Sequence, residues 1–198
     1  MRIKQLIVIP ARSGSKGITD KNIRTLNGKP LLLWAVDVVK KAKLENCLII
    51  LSTDSDKYAE IGSKAGLQVP FLRPVECAGD NVSAVQVAEH ALQWFKNEYA
   101  YYPEQLMWLQ PTSPFRSSSI IRQAIDMLDS QEVDSVITCK EIYRNLSTLF
   151  TCNDGYLQSL SNSDHGVHTN RQEIKPLLTP NGAMYLCETA VFLEKKTF

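Results

Sequence analysis

A short apolar run that ends in a loop of small and basic residues constrains this chain more than any other feature of its sequence. The run is Leu6 to Ile9, and the loop is Pro10 to Gly17. An unbroken apolar run of strand length is typical of a strand buried on both faces of a sheet. Glycine residues in the loop allow backbone N–H groups to approach an anion closely. The stretch therefore predicts a buried strand that delivers an anion-binding loop to the edge of a sheet.

Strand-like and helix-like segments alternate along the first two thirds of the chain. Further apolar runs of strand length are Cys47–Leu51, Leu106–Leu109 and Val133–Cys139. Helical patterns between them cover Leu31–Ala42, Lys57–Lys64, a segment with Val85, Ala88, Leu92 and Phe95 on one face, and a segment with Ile121, Ala124, Ile125 and Leu128 on one face. This alternation predicts right-handed βαβ units in a three-layer α/β domain with a mostly parallel sheet, whose ligands bind beyond the carboxyl ends of the strands.

The patterns are weaker in the last third of the chain. Residues from about 142 to 175 show no strong periodicity, although Asn153–Gly155 predicts the turn of a hairpin. Beyond this segment, Gly182–Leu186 predicts a further strand and Thr189–Lys195 predicts a short helix.

Composition limits the class of protein. The 198 residues carry 22 basic and 21 acidic side chains, for a net charge of +1. This balance argues against nucleic acid or membrane binding through a broad electrostatic field, so any anion site has to be local. No segment approaches the roughly 18 apolar residues of a membrane span. The length predicts one globular domain over residues 1–198.

The cysteines indicate a reducing environment. The five cysteines are scattered and form no C-x-x-C pair; they are Cys47, Cys77, Cys139, Cys152 and Cys187. This pattern predicts neither a disulfide framework nor a zinc site. The apolar stretch after Met1 is too short for the core of a signal peptide, and together these features predict a cytoplasmic protein.

Four basic side chains lie within thirteen residues in and after the first loop, at Arg12, Lys16, Lys21 and Arg24. A triphosphate requires such a cluster of cations, but a solvated basic turn would carry the same charges. The loop is not a Walker A motif because no Gly-Lys-Ser/Thr ends it, and it lacks the spacing of the dinucleotide fingerprint. The residues alone leave both interpretations open.

Six short motifs occur in a fixed order along the chain. They are Ile9-Pro10-Ala11-Arg12-Ser13-Gly14-Ser15-Lys16-Gly17 followed by Lys21-Asn22-Ile23-Arg24, Leu51-Ser52-Thr53-Asp54, Phe71-Leu72-Arg73-Pro74, Gly79-Asp80-Asn81, Leu109-Gln110-Pro111-Thr112-Ser113-Pro114-Phe115-Arg116, and Pro180-Asn181-Gly182-Ala183-Met184-Tyr185. These motifs resemble those of the acylneuraminate cytidylyltransferases, the CMP-sialic acid synthetases. They follow the order of that family and span most of the chain. The resemblance implies a Rossmann-like nucleotide-diphospho-sugar transferase fold with a small dimerisation lobe at about residues 142–178.

The resemblance also implies a reaction. A nucleotidyltransferase of this family joins CTP to a nine-carbon 2-keto sugar acid, such as sialic, legionaminic or pseudaminic acid, for cell-surface polysaccharide biosynthesis. The anomeric hydroxyl attacks the α-phosphorus, which yields the CMP-sugar and pyrophosphate. A 3-deoxy-octulosonate substrate is the alternative among enzymes, and a catalytically silent nucleotide-binding module is the alternative outside them. The family is expected to act as a homodimer.

Ten residues resemble nucleotide-binding positions of the family. Arg12 and Lys21 are expected to hold the triphosphate as the catalytic cations. The full set is Ala11, Arg12, Ser15, Lys16, Lys21, Asn22, Arg73, Asp80, Asn81 and Ser83. From the residues alone, Asp80 or Ser83 is also explained as the N-cap of the following helix, and both roles are compatible.

Four residues resemble sugar-contacting positions of the family: Gln110, Arg171, Asn181 and Tyr185. An amide both donates to and accepts from a sugar, and a guanidinium suits the carboxylate of a sugar acid. Each position also has a structural explanation. Gln110 could be a buried structural glutamine and Arg171 a surface arginine, while Asn181 and Tyr185 could anchor the last strand. Arg116 is predicted to support the loop after Gln110 rather than to contact substrate.

Acidic residues bear on the metal that this chemistry uses. The resemblance implies Mg²⁺ held by an Asp-x-Asp motif, which is expected beyond Phe198 at a shortened C-terminal end, so no metal ligand is assigned within the chain. Asp54 is the remaining acidic candidate, but it stands in Ser52–Ser55, which is typical of a helix N-cap, and it is interpreted as a cap. Thr19–Asp20 replaces a proline-containing pair of the family and predicts an additional negative charge beside the phosphates.

Overall fold

The computed structural model describes residues 2–130, 133–144, 148–160 and 176–198. The elements in chain order are β1 (Gln5–Pro10), β2 (Thr25–Leu26), β3 (Lys29–Pro30), α1 (Leu31–Ala42), β4 (Cys47–Ser52), α2 (Asp56–Lys64), α3 (Ala84–Tyr99), β5 (Gln105–Trp108), α4 (Ser118–Ser130), β6 (Ser135–Ile142), β7 (Phe150–Asn153), β8 (Tyr156–Ser159), β9 (Leu177–Glu188) and α5 (Thr189–Lys195). Across these described ranges, we find no helix long and apolar enough to cross a membrane.

The apolar run near the start of the chain forms β1 at the centre of a five-stranded sheet with the order β4-β1-β5-β9-β6. Strand β1 pairs in parallel with both β4 and β5, and its residues Leu6 to Ile9 are 0% exposed. The register places Pro10 opposite Ser52 and Val8 opposite Trp108. The carboxyl ends of three strands therefore meet at one edge of the sheet, where the sequence predicts ligand binding.

Helices cover both faces of this sheet. Ile7 and Ile9 pack with α1 and α4 in one hydrophobic cluster, while Leu6 and Val8 pack with α3 and α5 in a second cluster. This division follows from the period of two along a strand, which directs alternate side chains to opposite faces. The structure confirms the predicted three-layer α/β architecture, and α1 and α5 have the bounds that the sequence predicts.

The last strands of the sheet differ from the prediction. Strand β9 runs antiparallel to β5, with Tyr185 opposite Trp108, and it begins before the predicted Gly182–Leu186. The prediction that Val133–Cys139 is buried on both faces is wrong. Strand β6 lies at the edge of the sheet, and each of its residues is either partly buried or exposed. An apolar run indicates a strand, but it does not show whether a neighbour lies on each side.

The sequence patterns did not predict a small hairpin that follows the basic loop. Strands β2 and β3 pair antiparallel around Asn27 and Gly28, which have φ values of +50° and +77°. Both central residues thus adopt the left-handed region that the Asn-Gly pair accommodates in two-residue turns. The signal was present in the sequence, but strands of two residues carry no recognisable alternation.

The chain divides into two compact units, Met1–Thr138 with Gly182–Phe198, and Cys139–Asn181. In the described part of the second unit, β7 and β8 form the predicted hairpin around Asp154 and Gly155, whose φ values are +51° and +83°. All residues of both strands are exposed. The dimerisation role of residues 142–178 stays a prediction.

Replacement of Phe95 by alanine is expected to lower the free energy of unfolding by about 3–5 kcal/mol. The ring is 0% exposed and packs against the rings of Tyr99 and Tyr101 at centroid distances of 4.6 and 5.5 Å. Urea denaturation measures the change. The same substitution at Phe115, which is 85% exposed, is the matched control and is expected to change stability by less than about 0.5 kcal/mol. Equal losses in both variants would contradict the core assignment of Phe95.

Candidate functional site

A cleft of about 430 Å³ opens at the edge of the sheet where β1 and β5 end. Its walls come from the loop after β1, the first turn of α3 and the segment after β5. The lining residues are Pro10, Arg12, Ser15, Lys16, Gly17, Lys21, Asn22, Arg73, Val82, Ser83, Ala84, Val87, Trp108, Gln110, Pro111 and Thr112. All of them belong to the first compact unit. The cleft lies where parallel strands of an α/β sheet bind ligands.

The peptide group that joins Arg12 to Ser13 is held on both sides. The carbonyl oxygen of Arg12 accepts a hydrogen bond from Asn22 Nδ2 at 3.0 Å, and the N–H of Ser13 donates to Asp54 Oδ1 at 2.8 Å. The Ser13 hydroxyl donates to Asp54 Oδ2 at 2.9 Å. Asn22 is only 6% exposed. These bonds fix the start of the loop, and the Arg12 side chain lines the cleft.

Asp54 is not the cap of α2, so its interpretation as a helix cap is wrong. The cap is Ser55, whose Oγ accepts from the N–H of Tyr58 at 3.4 Å. Asp54 precedes the cap and bonds instead to Ser13, which lies 41 residues earlier in the chain. Sequence reasoning missed this residue because a short Ser/Thr/Asp run favours a cap, and nothing local indicates a distant partner.

Two cations of the loop share one carboxylate. Arg12 Nη1 lies 2.7 Å from Asp80 Oδ1, and Lys16 Nζ lies 2.7 Å from Asp80 Oδ2. The hydrogen bonds from Lys16 and then from Arg12 hold the pKa of Asp80 below its usual value. Lys21 lines the same cleft, and its amine makes no ion pair with any residue that the structure describes. The cleft therefore holds an excess of positive charge.

The carboxylate of Asp20 bonds to side chains of α2. The residue has a left-handed backbone with φ of +55°, and its carboxylate accepts hydrogen bonds from Lys57 Nζ at 3.0 Å and from the Tyr58 hydroxyl at 3.1 Å. Lys57 first, and Tyr58 second, lower the pKa of Asp20. Asp20 thus ties the end of the basic loop to α2, and the cation of Lys57 balances the additional negative charge.

Arg73 places a buried cation beside the cleft. It is 8% exposed, its Nε donates to Ser52 Oγ at 2.8 Å, and its Nη2 donates to the Ser52 carbonyl. The N–H of Arg73 also donates to the carbonyl of Thr53 at 2.7 Å. Burial lowers the pKa of Arg73 to about 10, while the nearby carboxylate of Asp54 opposes the shift. The guanidinium remains charged at neutral pH and is fixed at the end of β4.

Helix α3 begins at the cleft with a capping box. The N–H of Gln86 donates to Ser83 Oγ at 3.2 Å, and the N–H of Ser83 donates to Gln86 Oε1 at 2.8 Å. The N-cap role of Ser83 is confirmed, and Asp80 pairs with the basic loop instead of capping the helix. The helix start adds a partial positive charge to this wall of the cleft.

Gln110 stands where β5 ends, on a loop that Arg116 supports. The Nη2 of Arg116 donates to the Gln110 carbonyl at 2.9 Å, and its Nε donates to the Ala183 carbonyl at 2.8 Å. This confirms the predicted supporting role of Arg116. Gly182 has φ of +74°, and a Cβ atom there would lie 3.1 Å from Gln110 Oε1. A glycine at this position therefore leaves room for the amide of Gln110.

The cleft brings together most of the residues predicted to bind nucleotide or sugar. Those that line it are Arg12, Ser15, Lys16, Lys21, Asn22, Arg73, Ser83 and Gln110. Asp80 does not line the cleft, but it bonds to Arg12 and Lys16. Residues far apart in the chain thus converge on one site.

The other predicted residues lie elsewhere or outside the described residues. Ala11 is buried, Asn81 is exposed in the turn before α3, and Tyr185 packs in the second hydrophobic cluster; none of these three lines the cleft. Asn181 belongs to the second unit. Arg171 lies outside the described residues. Ligand contacts of these five residues stay predictions.

One side of the cleft is apolar, which the sequence did not indicate. Val82, Val87 and Trp108 line it, and Trp108 is only 3% exposed. Trp108 is the last residue of β5, and it lies on the strand face that packs against α3. This position in the sequence is the signal that could have predicted its place at the cleft.

No cluster of metal-ligating side chains marks a Mg²⁺ site among the described residues. Residues 2–130, 133–144, 148–160 and 176–198 contain no group of three or more His, Cys, Asp or Glu that could hold a metal ion. Near the cleft, Asp54 accepts from Ser13 and Asp80 accepts from the loop cations. One or two carboxylates together with phosphate oxygens suffice for Mg²⁺, so its site stays a prediction.

Comparison with known proteins gives matches along nearly the whole chain. Residues 6–189 match the family model described as Cytidylyltransferase. An N-acylneuraminate cytidylyltransferase of Streptococcus agalactiae is 32% identical over 198 residues, which cover 99% of this chain and 46% of that protein. The chain thus spans less than half the length of this relative. A CMP-N,N'-diacetyllegionaminic acid synthase of Legionella pneumophila is 32% identical over 201 residues, which cover 100% of this chain and 83% of that protein.

A solved structure shares the fold. The CMP:2-keto-3-deoxy-manno-octonic acid synthetase complexed with CTP matches with a TM-score of 0.67 and 18% identity, over 98% of this chain and 77% of that chain. At this identity the likeness concerns the fold alone. It confirms the predicted Rossmann-like α/β fold.

Replacement of Lys16 by alanine is expected to raise the pKa of Asp80 toward its usual value of 3.8, because Lys16 is the largest cause of the lowering. A lowered pKa means that the ion pairs stabilise the folded cleft above pH 3.8 and are lost as the pH falls through the lowered value. Carboxyl carbon chemical shifts, followed by NMR against pH, measure the change.

The matched control for this titration is Lys57→Ala. It is expected to raise the pKa of Asp20, which Lys57 lowers, and to leave the titration of Asp80 in place. An Asp80 midpoint that does not move in Lys16→Ala would contradict the ion pair.

Proposed function

The chain belongs to the cytidylyltransferase family, and on this premise we propose that it joins CTP to a nine-carbon 2-keto sugar acid with release of pyrophosphate. The observation that carries the proposal is a single cleft lined by Arg12, Lys16 and Lys21 together with Gln110. Clustered cations suit a triphosphate, and an amide that both donates and accepts suits a sugar.

In the proposed complex, the triphosphate takes the place of Asp80 on the basic loop. The carboxylate marks where an anion fits, because its two oxygens lie 2.7 Å from Arg12 and 2.7 Å from Lys16. These ion pairs are solvent-exposed and contribute little stability, whereas a triphosphate brings several negative charges. Lys21 and the buried Arg73 add positive charge to the same cleft. The exchange of one anion for the other is therefore favourable.

The proposed reaction is an in-line displacement at the α-phosphorus. The anomeric hydroxyl oxygen of the sugar acid forms the new bond to the α-phosphorus, and its proton is released to solvent. The bond between the α-phosphorus and the oxygen that bridges to the β-phosphorus breaks, and its electron pair leaves with pyrophosphate. Such a reaction depends mainly on positioning and on charge stabilisation. Arg12 and Lys21 would stabilise the phosphoryl oxygens and the leaving pyrophosphate.

The nucleoside is proposed to lie against the start of α3. Ser83 supplies a polar group there, Val87 and Trp108 supply an apolar surface, and Asn22 lines the same cleft from the loop after β1. We keep Ala11, Ser15, Asp80 and Asn81 in the proposed nucleotide set on the family resemblance. A mixed wall of this kind suits a ribose and a base, which combine polar edges with apolar faces.

The sugar acid is proposed to bind beside Gln110. We retain Arg171, Asn181 and Tyr185 as further sugar contacts on the family resemblance. The names of the streptococcal and Legionella relatives support an N-acylneuraminate or a legionaminic acid as the sugar class, and pseudaminic acid belongs to the same nine-carbon class. A 3-deoxy-octulosonate is the alternative, which the octonic acid synthetase supports only at the level of the fold.

Three further proposals rest on the family resemblance. They are a requirement for Mg²⁺, a homodimer formed through residues 142–178, and a role in cell-surface polysaccharide biosynthesis. A cytoplasmic location is proposed from the scattered cysteines. The described residues contain no group of three or more His, Cys, Asp or Glu that marks a site for the metal.

Pyrophosphate release from CTP tests the proposed reaction. The assay is run with Mg²⁺ and a panel of sialic, legionaminic, pseudaminic and 3-deoxy-octulosonic acids. Release with at least one nine-carbon acid is expected. Release with the octulosonic acid alone would assign the chain to the alternative enzyme, and CTP binding without any turnover would identify a silent nucleotide-binding module.

Replacement of Arg12 by alanine is expected to weaken CTP binding by about 10- to 100-fold, because a charge-assisted contact to phosphate is lost. Isothermal titration calorimetry measures the affinity. Arg122→Ala removes the same charge from an exposed position of α4 and is expected to leave the affinity unchanged. An unchanged affinity in Arg12→Ala would show that the loop is only a solvated basic turn.

A further inference from the structure

Asp54 bonds to the anion-binding loop but does not line the cleft. Its two carboxylate oxygens accept both hydrogen bonds that Ser13 can donate, the backbone N–H at 2.8 Å and the hydroxyl at 2.9 Å. One carboxylate thereby fixes both the main chain and the side chain of the residue that follows Arg12. We propose that Asp54 is a positioning residue, which orients Arg12 for the anion through its two bonds to Ser13.

The peptide plane between Arg12 and Ser13 explains how this works. Asn22 holds the carbonyl of that plane at 3.0 Å, and Asp54 holds the N–H on its opposite edge. A peptide group is planar, so two anchors on opposite edges leave it one orientation. That orientation directs the Cα–Cβ bond of Arg12. With only the Asn22 anchor, the plane is free to rotate and the guanidinium samples more positions.

The position of Asp54 is itself fixed by the sheet. It follows β4 and Thr53, which is 0% exposed and pairs with Leu72 in an isolated bridge. The N–H of Arg73 donates to the Thr53 carbonyl at 2.7 Å, which joins the residue before Asp54 to a buried side chain. The carboxylate is therefore held at the end of β4. Its bonds to Ser13 fix the position of the loop after β1 relative to that strand.

Asp54 acts on the ligand through Ser13. Both of its oxygens are engaged by one residue, and it is absent from the walls of the cleft. A residue that acts by hydrogen-bond geometry tolerates an amide of the same shape, whereas a metal ligand or an essential charge does not. The inference rests on the proposed function, because the loop it orders is the proposed triphosphate site.

Two substitutions of Asp54 test the inference. In the full 198-residue chain, the affinities for CTP and for inorganic tripolyphosphate are measured by isothermal titration calorimetry. Asp54→Ala is expected to lower the affinity for both ligands by about 10-fold. Asp54→Asn is expected to retain both affinities within about 3-fold, since its amide oxygen accepts from the Ser13 N–H and its amide nitrogen donates to the Ser13 hydroxyl. Equal losses in the two variants would overturn the positioning role.

Asp56→Ala is the matched control. It removes the same charge from an exposed residue at the start of α2, and it is expected to leave both affinities unchanged. A loss as large as that of Asp54→Ala would overturn the inference in favour of a general charge effect. Thermal unfolding of each variant shows whether the fold is retained.

Ser13→Ala keeps the test decisive if Asp54→Ala does not fold. It removes the hydroxyl bond and keeps the N–H bond, so a loss of about 2- to 3-fold is expected. No loss in Ser13→Ala would then overturn the inference. The proposed function is tested separately by Arg12→Ala: if Arg12→Ala weakens CTP binding and Asp54→Ala does not, only the positioning role fails. Full CTP affinity in Arg12→Ala would refute the triphosphate site itself.

Discussion

The parallel pairing of β1 with both β4 and β5 is the constraint on which the rest of the structure depends. Because the three strands run in one direction, their carboxyl ends meet at one edge of the sheet. The segments that leave this edge carry Arg12, Asp54 and Gln110, which lie far apart in the sequence. Apolar packing on both faces holds the strands in register. The cleft is thus a consequence of strand direction and of burial on two sides.

Carboxylates organise the basic loop. Asp54 binds the main chain at Ser13, Asp80 binds the cations of Arg12 and Lys16, and Asp20 ties the far end of the loop to α2. These three contacts restrain a segment that has no hydrophobic core of its own. They also explain how a chain with a net charge of +1 presents a local anion site, since most charges elsewhere are balanced.

Sequence patterns predicted the elements well where local physics decides them. The period of apolar residues located α1 and α3, and a buried apolar run located β1. The edge position of β6 and the antiparallel direction of β9 were not predictable, because pairing partners and strand direction depend on residues distant in the chain. The motif resemblance predicted most of the residues that line the cleft. It did not distinguish them from residues that only position the loops around the cleft.

The sequence by itself determined the strand and helix pattern, the basic loop after the first strand and the family of the chain. Only the tertiary structure decided which carboxylate meets which donor. Asp54 and Ser13 are 41 residues apart, and Asp80 and Arg12 are 68 residues apart. Local propensity acts over a few residues along the chain, whereas hydrogen bonds act over about 3 Å in space. Such partners become defined only after the sheet has brought the strand ends together.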